Sequence, residues 1–200
     1  AALRAFVHRH SFAQFCTCDS HGHLLATHLP VRLHPDEGPH GVFYGHVARA
    51  NPQWQDIAHE ALLVFTGPHA YISPTWYQTP NTVPTWNYVA VHVTGRIETF
   101  DDHPALMTLL NELVDVYEKK QPAPWKIAMD PKVLTGFLNA IIGFKLTVTK
   151  WEGKAKLNQN HPVERRQRVI AALQAIPDPD GQAIAALMQA TLPPAAAKAP

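Results

Sequence analysis

Four short segments between residues 26 and 88 combine polar side chains with aromatic rings. They are Ala-Thr-His-Leu-Pro at 26–30, Gly-His-Val-Ala-Arg-Ala-Asn-Pro-Gln-Trp at 45–54, Gly-Pro-His-Ala-Tyr-Ile-Ser-Pro at 67–74 and Val-Pro-Thr-Trp-Asn-Tyr at 83–88. A flat, phosphate-bearing ligand needs this mixture. Aromatic and apolar groups cover its faces, amides and hydroxyls bind its edges, and an arginine or a helix N-terminus binds its phosphate. The segments therefore predict a site for such a ligand.

The second segment contains the clearest candidates for phosphate binding. Arg49 and Asn51 precede a helix that we predict from Pro52 through Trp54 to His59, because Asn is favoured at the N-cap and Pro at the first helical position. The first N–H groups of a helix lack intrahelical partners and lie at the positive end of its dipole. The alternative is that Asn51 only caps the helix and Arg49 is a surface charge. If Arg-x-Asn-Pro stood alone in the sequence, this alternative would be the favoured interpretation.

The four segments in this order resemble the PaiB-type FMN-binding negative transcriptional regulators, a family of the flavin-reductase-like, pyridoxamine 5′-phosphate oxidase-like split-barrel superfamily. The later Lys-Leu-Asn-Gln-Asn at 156–160 is similar to that family's Lys-Leu-Ser-Gln-Asn, with Asn158 in place of serine. The resemblance runs from about Leu3 to about Met188. It implies a homodimer with FMN at the subunit interface and a regulatory role.

The resemblance also implies which residues contact FMN. Residues 26–30 would lie along the isoalloxazine edge, residues 46–51 would hold the phosphate with Arg49 as the main charge, and Asn87 would reach the pyrimidine edge. Lys156 and Gln159 would come from the partner subunit. The predicted FMN-binding residues are Thr27, His28, Leu29, Pro30, His46, Arg49, Asn51, Ser73, Trp86, Asn87, Lys156 and Gln159. No residue is assigned a catalytic role.

Two functions stay open for such a flavoprotein. The sequence contains no obvious acid/base pair, which favours a flavin-loaded sensor or regulator without turnover. The superfamily resemblance favours a flavin-dependent reductase or oxidase that uses NAD(P)H on a small substrate, in which the flavin would carry the redox step. The sequence has no Gly-x-Gly-x-x-Gly, P-loop or Gly-x-Ser-x-Gly motif, which argues against a Rossmann dinucleotide site, a P-loop nucleotide site and a hydrolase.

The thirteen histidines raise a third reading, a metal or haem site. His8-x-His10 and His21-x-His23 are candidate ligand pairs, but there is no His-Glu-x-x-His motif and no second cysteine pair at zinc spacing. Solvated histidines explain both pairs better, so we expect no metal. His28 and His46 are better candidates for ligand contact, because they lie inside the motifs.

Charge and hydropathy limit the partners. The net charge of +1 provides no overall field for DNA or an anionic membrane, so a DNA partner would need a local patch. The best patch is Lys150, Lys154, Lys156, Arg165, Arg166 and Arg168, although a solvated helix face is the favoured explanation for it. We find no apolar run long enough to span a membrane and no signal-peptide pattern at the start. With only two cysteines, we expect reduced thiols and a cytoplasmic protein.

The order of elements predicts an α+β fold, because strands dominate before residue 100 and helices follow. The predicted strands are Phe12–Cys18, His23–Leu33, Val42–His46, Ala61–Thr66 with Ala70–Ser73 as a candidate continuation, Tyr88–Thr99 and Phe144–Lys150. The predicted helices, besides 52–59, are Ala1–Arg9, one capped by Asp101 or Asp102, Pro131–Ile141, Val163–Ile176 and Gly181–Leu192. The resemblance makes the core a six-stranded antiparallel split β-barrel. We expect one domain over 1–192, with C-terminal helices from about residue 161, and a disordered tail over 193–200.

Overall fold

The computed structural model describes residues 1–57 and 60–194. Its strands are β1 (Phe12–Cys18), β2 (Leu24–Pro30), β3 (Arg32–His34), β4 (Val42–Ala48), β5 (Glu60–Ile72), β6 (Thr85–Phe100) and β7 (Ile141–Lys156). Its α-helices are α1 (Ala2–Arg9), α2 (His103–Glu118), α3 (Pro131–Asn139), α4 (Val163–Ala175) and α5 (Pro179–Ala190). Short 3-10 turns lie at Pro52–Trp54 and Pro74–Tyr77.

The strands of the described residues form one seven-stranded sheet in the order β2-β1-β5-β6-β7-β4-β3. The described pairs β1–β2, β1–β5, β3–β4 and β4–β7 are antiparallel, which confirms the predicted α+β class with an antiparallel sheet. The seventh strand arises because the predicted strand 23–33 breaks at Val31 into β2 and β3. Pro30 ends β2, which lies at one end of the sheet. Proline is favoured in such a strand because it has no N–H to donate to a neighbouring strand.

The contacts along the chain divide it into two compact units. The first unit comprises Ala1–Phe65 and Val91–Glu152, and the second comprises Thr66–Ala90 and the described residues from Gly153 onward. The core of the first unit is built from alternate residues of the strands, among them Phe15, Leu63, Phe65, Val93 and Leu146. The core of the second unit packs α4 and α5 on residues of β5, through Ile72, Val169, Leu173, Ile184 and Met188. The expectation of one domain stays a prediction.

Several of the predicted boundaries are wrong, among them that of the last strand, which runs over Ile141–Lys156 and not only Phe144–Lys150. The helix predicted from Pro52 is a 3-10 turn that ends at Trp54, and residues 58 and 59 lie outside the described residues. The turn is anchored by tertiary hydrogen bonds of the Gln53 side chain rather than extended by helical ones. Strand β5 does not stop at Gly67-Pro68 but continues to Ile72, and α3 ends two residues early at Asn139. Most of the predicted tail, residues 195–200, also lies outside the described residues.

Asp102 shows how local signals set a helix start. Its carboxylate accepts a hydrogen bond from the amide of Ala105 at 2.9 Å, and Pro104 occupies the first turn. This satisfies an N–H group that the helix itself leaves without a partner. Leu106, Leu109 and Leu113 are buried, at the three- and four-residue spacing that places them on one face of the helix.

We predict that Gly95→Ala destabilises the protein by about 1–3 kcal/mol, the usual range for overpacking. Gly95 lies in β6, where an added Cβ would sit 2.5 Å from the carbonyl oxygen of Thr147 and closer still to the Leu146 side chain. Backbone atoms cannot move aside cheaply. Urea unfolding followed by circular dichroism measures the change.

Gly136→Ala is the matched control, because nothing lies within 4 Å of its added Cβ. Gly136 is inside α3, where alanine is favoured over glycine by about 0.5–1 kcal/mol. We expect this variant to be slightly more stable than the native protein. Equal stability of the two alanine variants would contradict the close approach of β6 and β7 at Gly95.

Candidate functional site

A hydrogen-bond network joins two of the four motifs in the first unit. The Asn51 amide nitrogen Nδ2 donates to Thr27 Oγ1 at 2.8 Å, and Thr27 Oγ1 donates to Gln53 Oε1 at 2.6 Å. Asn51 Oδ1 also accepts from the Gln53 backbone amide at 3.0 Å, so Asn51 caps the turn as the sequence predicted. The structure thus places the motif of β2 against the segment that follows β4.

Gln53 is the residue that holds this network, and sequence reasoning missed its role. Its side chain is only 1% exposed, and its Nε2 donates to Phe15 O and to Thr17 Oγ1, both at 3.1 Å. A buried carboxamide must satisfy its donors and acceptor, and this one does so across β1 and β2. The only sequence signal was its position beside Asn51-Pro52.

Arg49, the predicted phosphate-binding residue, makes several contacts within the protein. Its Nε donates to Asn139 O at 2.7 Å, and its Nη2 lies 3.2 Å from Asp101 Oδ2 and 3.5 Å from Ile141 O. These contacts tie the end of β4 to the connection between α3 and β7. A guanidinium has five N–H donors, and the Arg49 side chain stays 39% exposed, so part of its binding capacity faces solvent.

The two candidate histidines occupy different environments. His28 is exposed on β2 and stacks on Phe12, with ring centroids 6.2 Å apart. His46 lies in β4 opposite Gly143. Burial lowers the pKa of His46 below its usual value, and its buried Nδ1 has no hydrogen-bond partner among the described residues. Such an unpaired buried nitrogen is the kind of atom that a ligand can satisfy.

The remaining β2 candidates differ in access. Leu29 is buried in the core of the first unit, and Pro30 is half-buried at the end of the strand. The side chain of Leu29 therefore contributes packing, and only its backbone is placed to meet a ligand at the sheet edge.

Five predicted residues lie in the second unit, and three of them, Ser73, Trp86 and Asn87, fall between Thr66 and Ala90. Ser73 caps the turn at 74–77, accepting from the Thr75 amide at 3.3 Å. Trp86 is exposed on β6, whereas its neighbour Asn87 is fully buried. Asn87 Nδ2 lies 3.3 Å from Met188 Sδ, and its Oδ1 has no partner among the described residues. The second unit taken alone thus offers the Trp86 ring, but not the Asn87 amide, to solvent.

The 156–160 motif forms a compact loop in the second unit. Gln159 uses its side chain on the loop itself, accepting from the Leu157 amide at 2.8 Å and donating to Ala155 O at 2.7 Å. Lys156 hydrogen-bonds Thr85 through its ammonium group. Asn158 has φ of +58°, a left-handed conformation that asparagine tolerates better than most residues, which explains why Asn can replace Ser here.

The basic patch considered for DNA loses one of its members. Arg166 is buried in α4, where its Nη2 contacts Met188 O at 3.4 Å and Thr191 Oγ1. Arg165 lies over the Tyr77 ring, 5.3 Å from its centroid. Both side chains therefore take part in the packing of the second unit, and Arg166 fits neither a DNA-binding patch nor the solvated helix face that was its alternative.

The first unit also contains a cavity that the sequence analysis did not predict. It has a volume of about 530 Å³ and lies between β3, β4, β6, β7 and α2. At its edge, His34 Nδ1 lies 2.9 Å from Glu37 Oε1 and His34 Nε2 lies 2.7 Å from Glu112 Oε2. Tyr44 donates to the other oxygen of Glu37 at 2.8 Å, and this environment, chiefly through burial, raises the pKa of Tyr44 to about 12.

Residues 1–57 and 60–194 contain neither a group of candidate metal ligands nor a helix suited to crossing a membrane. Within these ranges no three or more His, Cys, Asp or Glu side chains group as metal ligands. None of the described helices is long and apolar enough to cross a membrane.

We predict that His34 makes the stability of the first unit depend on pH. Partial burial disfavours the charged imidazole, but hydrogen bonds and charges from Glu112 and Glu37 outweigh it, so the pKa of His34 is raised above 6.5. This contribution is fully present below pH 6.5, the usual histidine value, and is lost as pH rises through the higher folded-state pKa.

Urea unfolding at about pH 6 and about pH 8.5, in the native protein and in His34→Gln, isolates this effect. The native protein should lose more unfolding free energy on going to the higher pH. Because both proteins keep the other twelve histidines, the difference reports His34 alone. Parallel pH dependences would exclude the contribution.

Comparison with known proteins agrees with the motifs. Residues 1–150 match the family described as "Putative FMN-binding domain". The chain is 37% identical over 188 residues to the "Protease synthase and sporulation protein PAI 2" of Bacillus subtilis (strain 168), covering 92% of this chain and 88% of the relative.

Solved structures show the same fold at low identity. The flavocytochrome Anf3 from Azotobacter vinelandii has a TM-score of 0.58 at 15% identity, covering 77% of this chain and 65% of that one. The FAD and heme binding protein from Mycobacterium smegmatis has a TM-score of 0.56 at 16% identity, covering 86% and 78%. The predicted fold class is thereby confirmed, as is the resemblance drawn from the motifs: the chain belongs to this FMN-binding domain family, and its cofactor is FMN.

Proposed function

We propose that the protein is a homodimeric FMN-binding negative transcriptional regulator of the PaiB type, located in the cytoplasm. The observation that carries the proposal is the bond between Asn51 and Thr27, which unites two family motifs at one place in a chain of the FMN-binding family. When bound, FMN would supply a redox-active ring whose state a regulator can sense. The two cysteines, Cys16 and Cys18, are unpaired, in keeping with a reducing compartment.

The residues present in the first unit fit FMN. His46, with its unpaired Nδ1, lies on β4. The partly exposed Arg49 directly follows β4 and lies two residues before Asn51 of the Thr27–Asn51 network. Asn51 would orient the phosphate end and Arg49 would supply the charge, while Thr27 would lie at the isoalloxazine edge. The dipole of a long helix, however, no longer supports phosphate binding, because the turn at Pro52–Trp54 is only three residues long.

An exposed apolar edge supports the homodimer. Phe12 and Leu24, on β1 and β2, are 64% and 84% exposed, and β2 is an end strand of the sheet. Exposed apolar residues on a sheet edge invite aggregation unless something covers them. A second copy of the chain would cover them and would bring its own residues, including those predicted at Lys156 and Gln159, to the shared site.

The flavin-dependent reductase is the second candidate. The likeness of fold to a flavocytochrome and a FAD-binding protein keeps it open, although a likeness at 15–16% identity shows the fold alone. Purified protein loaded with FMN and mixed with NADH or NADPH separates the candidates. The regulator predicts no steady oxidation of either nucleotide, and sustained turnover would replace it with the reductase.

We predict that Arg49→Ala weakens FMN binding about 10- to 150-fold. A charge-assisted phosphate contact is worth on the order of 1.5–3 kcal/mol, which sets this range. Riboflavin, which lacks the phosphate, should bind the variant and the native protein equally. Flavin fluorescence titration measures both affinities.

Two controls separate phosphate binding from the structural contacts of Arg49. Asp101→Asn removes the carboxylate that pairs with Nη2 but leaves the guanidinium, so FMN affinity should be unchanged or higher. Gel filtration of each variant checks that the dimer persists. A parallel loss of riboflavin and FMN affinity in Arg49→Ala would show that Arg49 only supports the fold, and unchanged FMN affinity would place the phosphate elsewhere.

A further inference from the structure

A pocket in the second unit combines aromatic rings with carboxylates. Its volume is about 430 Å³, within the usual range for small-molecule sites. Strand β5, the start of β6, and α4 and α5 with their connection supply its walls. The lining residues that matter here are His69, Tyr71, Trp86, Ile176, Asp178 and Asp180.

The aromatic walls of this pocket are unusually open. Tyr71 and Trp86 remain 46% and 53% exposed, although large aromatic side chains normally gain by burial. Their ring planes meet at 70° with centroids 5.9 Å apart, so the two rings form a corner. The His69 ring adds to it, 6.0 Å from Trp86. Packing within the second unit leaves this corner uncovered.

The acidic side chains that line the pocket are Asp178 and Asp180. Asp178 accepts the Gly181 amide at 2.8 Å, which fixes its carboxylate at the start of α5. Asp180 Oδ2 lies 3.6 Å from His69 Nδ1, a contact that becomes an ion pair only when the imidazole is protonated. No lysine or arginine is among the described residues that line the pocket. Its field therefore attracts cations and repels anions.

We propose that this pocket binds an organic cation, a quaternary or protonated alkylamine, whose ammonium group lies in the Tyr71–Trp86 corner and is balanced by Asp178 and Asp180. The faces of tryptophan and tyrosine attract cations through the ring quadrupole, and rings set at an angle can contact one cation together. The carboxylates add Coulomb attraction. The inference goes beyond the proposed function, because the pocket lies wholly within the second unit and needs no flavin.

FMN is the competing occupant, since Trp86 is also one of the predicted flavin contacts. An isoalloxazine ring could stack on Trp86, but if all of FMN lay in this pocket, its negative phosphate would meet the two carboxylates rather than the Arg49 guanidinium. The charge balance thus favours a cation over FMN in this pocket, and a competition experiment decides between them.

Choline chloride and 3,3-dimethylbutan-1-ol, its uncharged isostere, are the probes. Calorimetric titration of the full chain at constant ionic strength should show saturable choline binding. The isostere should bind at least about tenfold more weakly, because it lacks the charge on which cation–π attraction depends. Choline affinity should be the same with and without saturating FMN. Equal binding of the isostere, or loss of choline binding on adding FMN, would overturn the proposal.

Two variants and a matched control test the walls. Trp86→Leu and Asp180→Asn should each weaken choline binding about tenfold, the scale of one desolvated cation–π or charge contact. Trp125→Leu should leave it unchanged, because Trp125 is 51% exposed but lies in the first unit. Asp178 is left intact, since its bond to Gly181 caps α5. Native choline affinity in Trp86→Leu, or no choline binding by the native chain, would also overturn the proposal.

Discussion

The candidate FMN site depends on the hydrogen bonds of the Gln53 carboxamide. This carboxamide is buried, and it connects the segment after β4 to the backbone of β1 and to the Thr27 hydroxyl of β2. A buried amide left without partners costs about 1–3 kcal/mol, so this arrangement selects one position for the segment among many. The positions of Asn51 and Arg49 follow from it, because they lie two and four residues before Gln53 in a short connection.

Arg49, the proposed phosphate-binding residue, already has a structural role. Its guanidinium already contacts the carbonyls of Asn139 and Ile141 and the Asp101 carboxylate. A phosphate arriving there would compete with Asp101 for the same cation rather than meet a free charge. Affinity for FMN would then depend on how easily that exposed ion pair opens, and exposed pairs are weak. The same contacts hold the α3–β7 connection, so the end of α3 and the proposed phosphate site would share one side chain.

Local patterns in the sequence were sufficient for much of the fold. The predicted strands 12–18 and 88–99 match β1 and most of β6, and a cap at Asp101 or Asp102 correctly placed the start of α2. The failures are places where tertiary contacts override local propensity. Residues 52–54 carry good helix-start signals, yet Gln53 and Trp54 are held by distant partners or by the Arg49 carbonyl. At the cavity around His34, the contact between His34 and Glu112 joins residues 78 positions apart, and no spacing rule connects them.

The candidate site was predictable only to the level of its motifs. The resemblance correctly gave the family and the cofactor, and the roles of individual residues stay predictions. Asn87 illustrates the reason, because its amide lies buried beside Met188, a neighbour 101 positions away. Burial of this kind depends on how α5 packs, and the sequence around Asn87 carries no signal for it.

Arg166 has a consequence for the length of chain that the second unit requires. Its guanidinium lies inside the unit and contacts the carbonyl of Met188 and the hydroxyl of Thr191. The end of α5 therefore supplies the hydrogen-bond acceptors for a buried cation, and the second unit requires it. Proteolysis that removes only residues after Thr191 would keep both partners of Arg166. Cleavage before Met188 would remove them and leave the buried guanidinium charge without a partner.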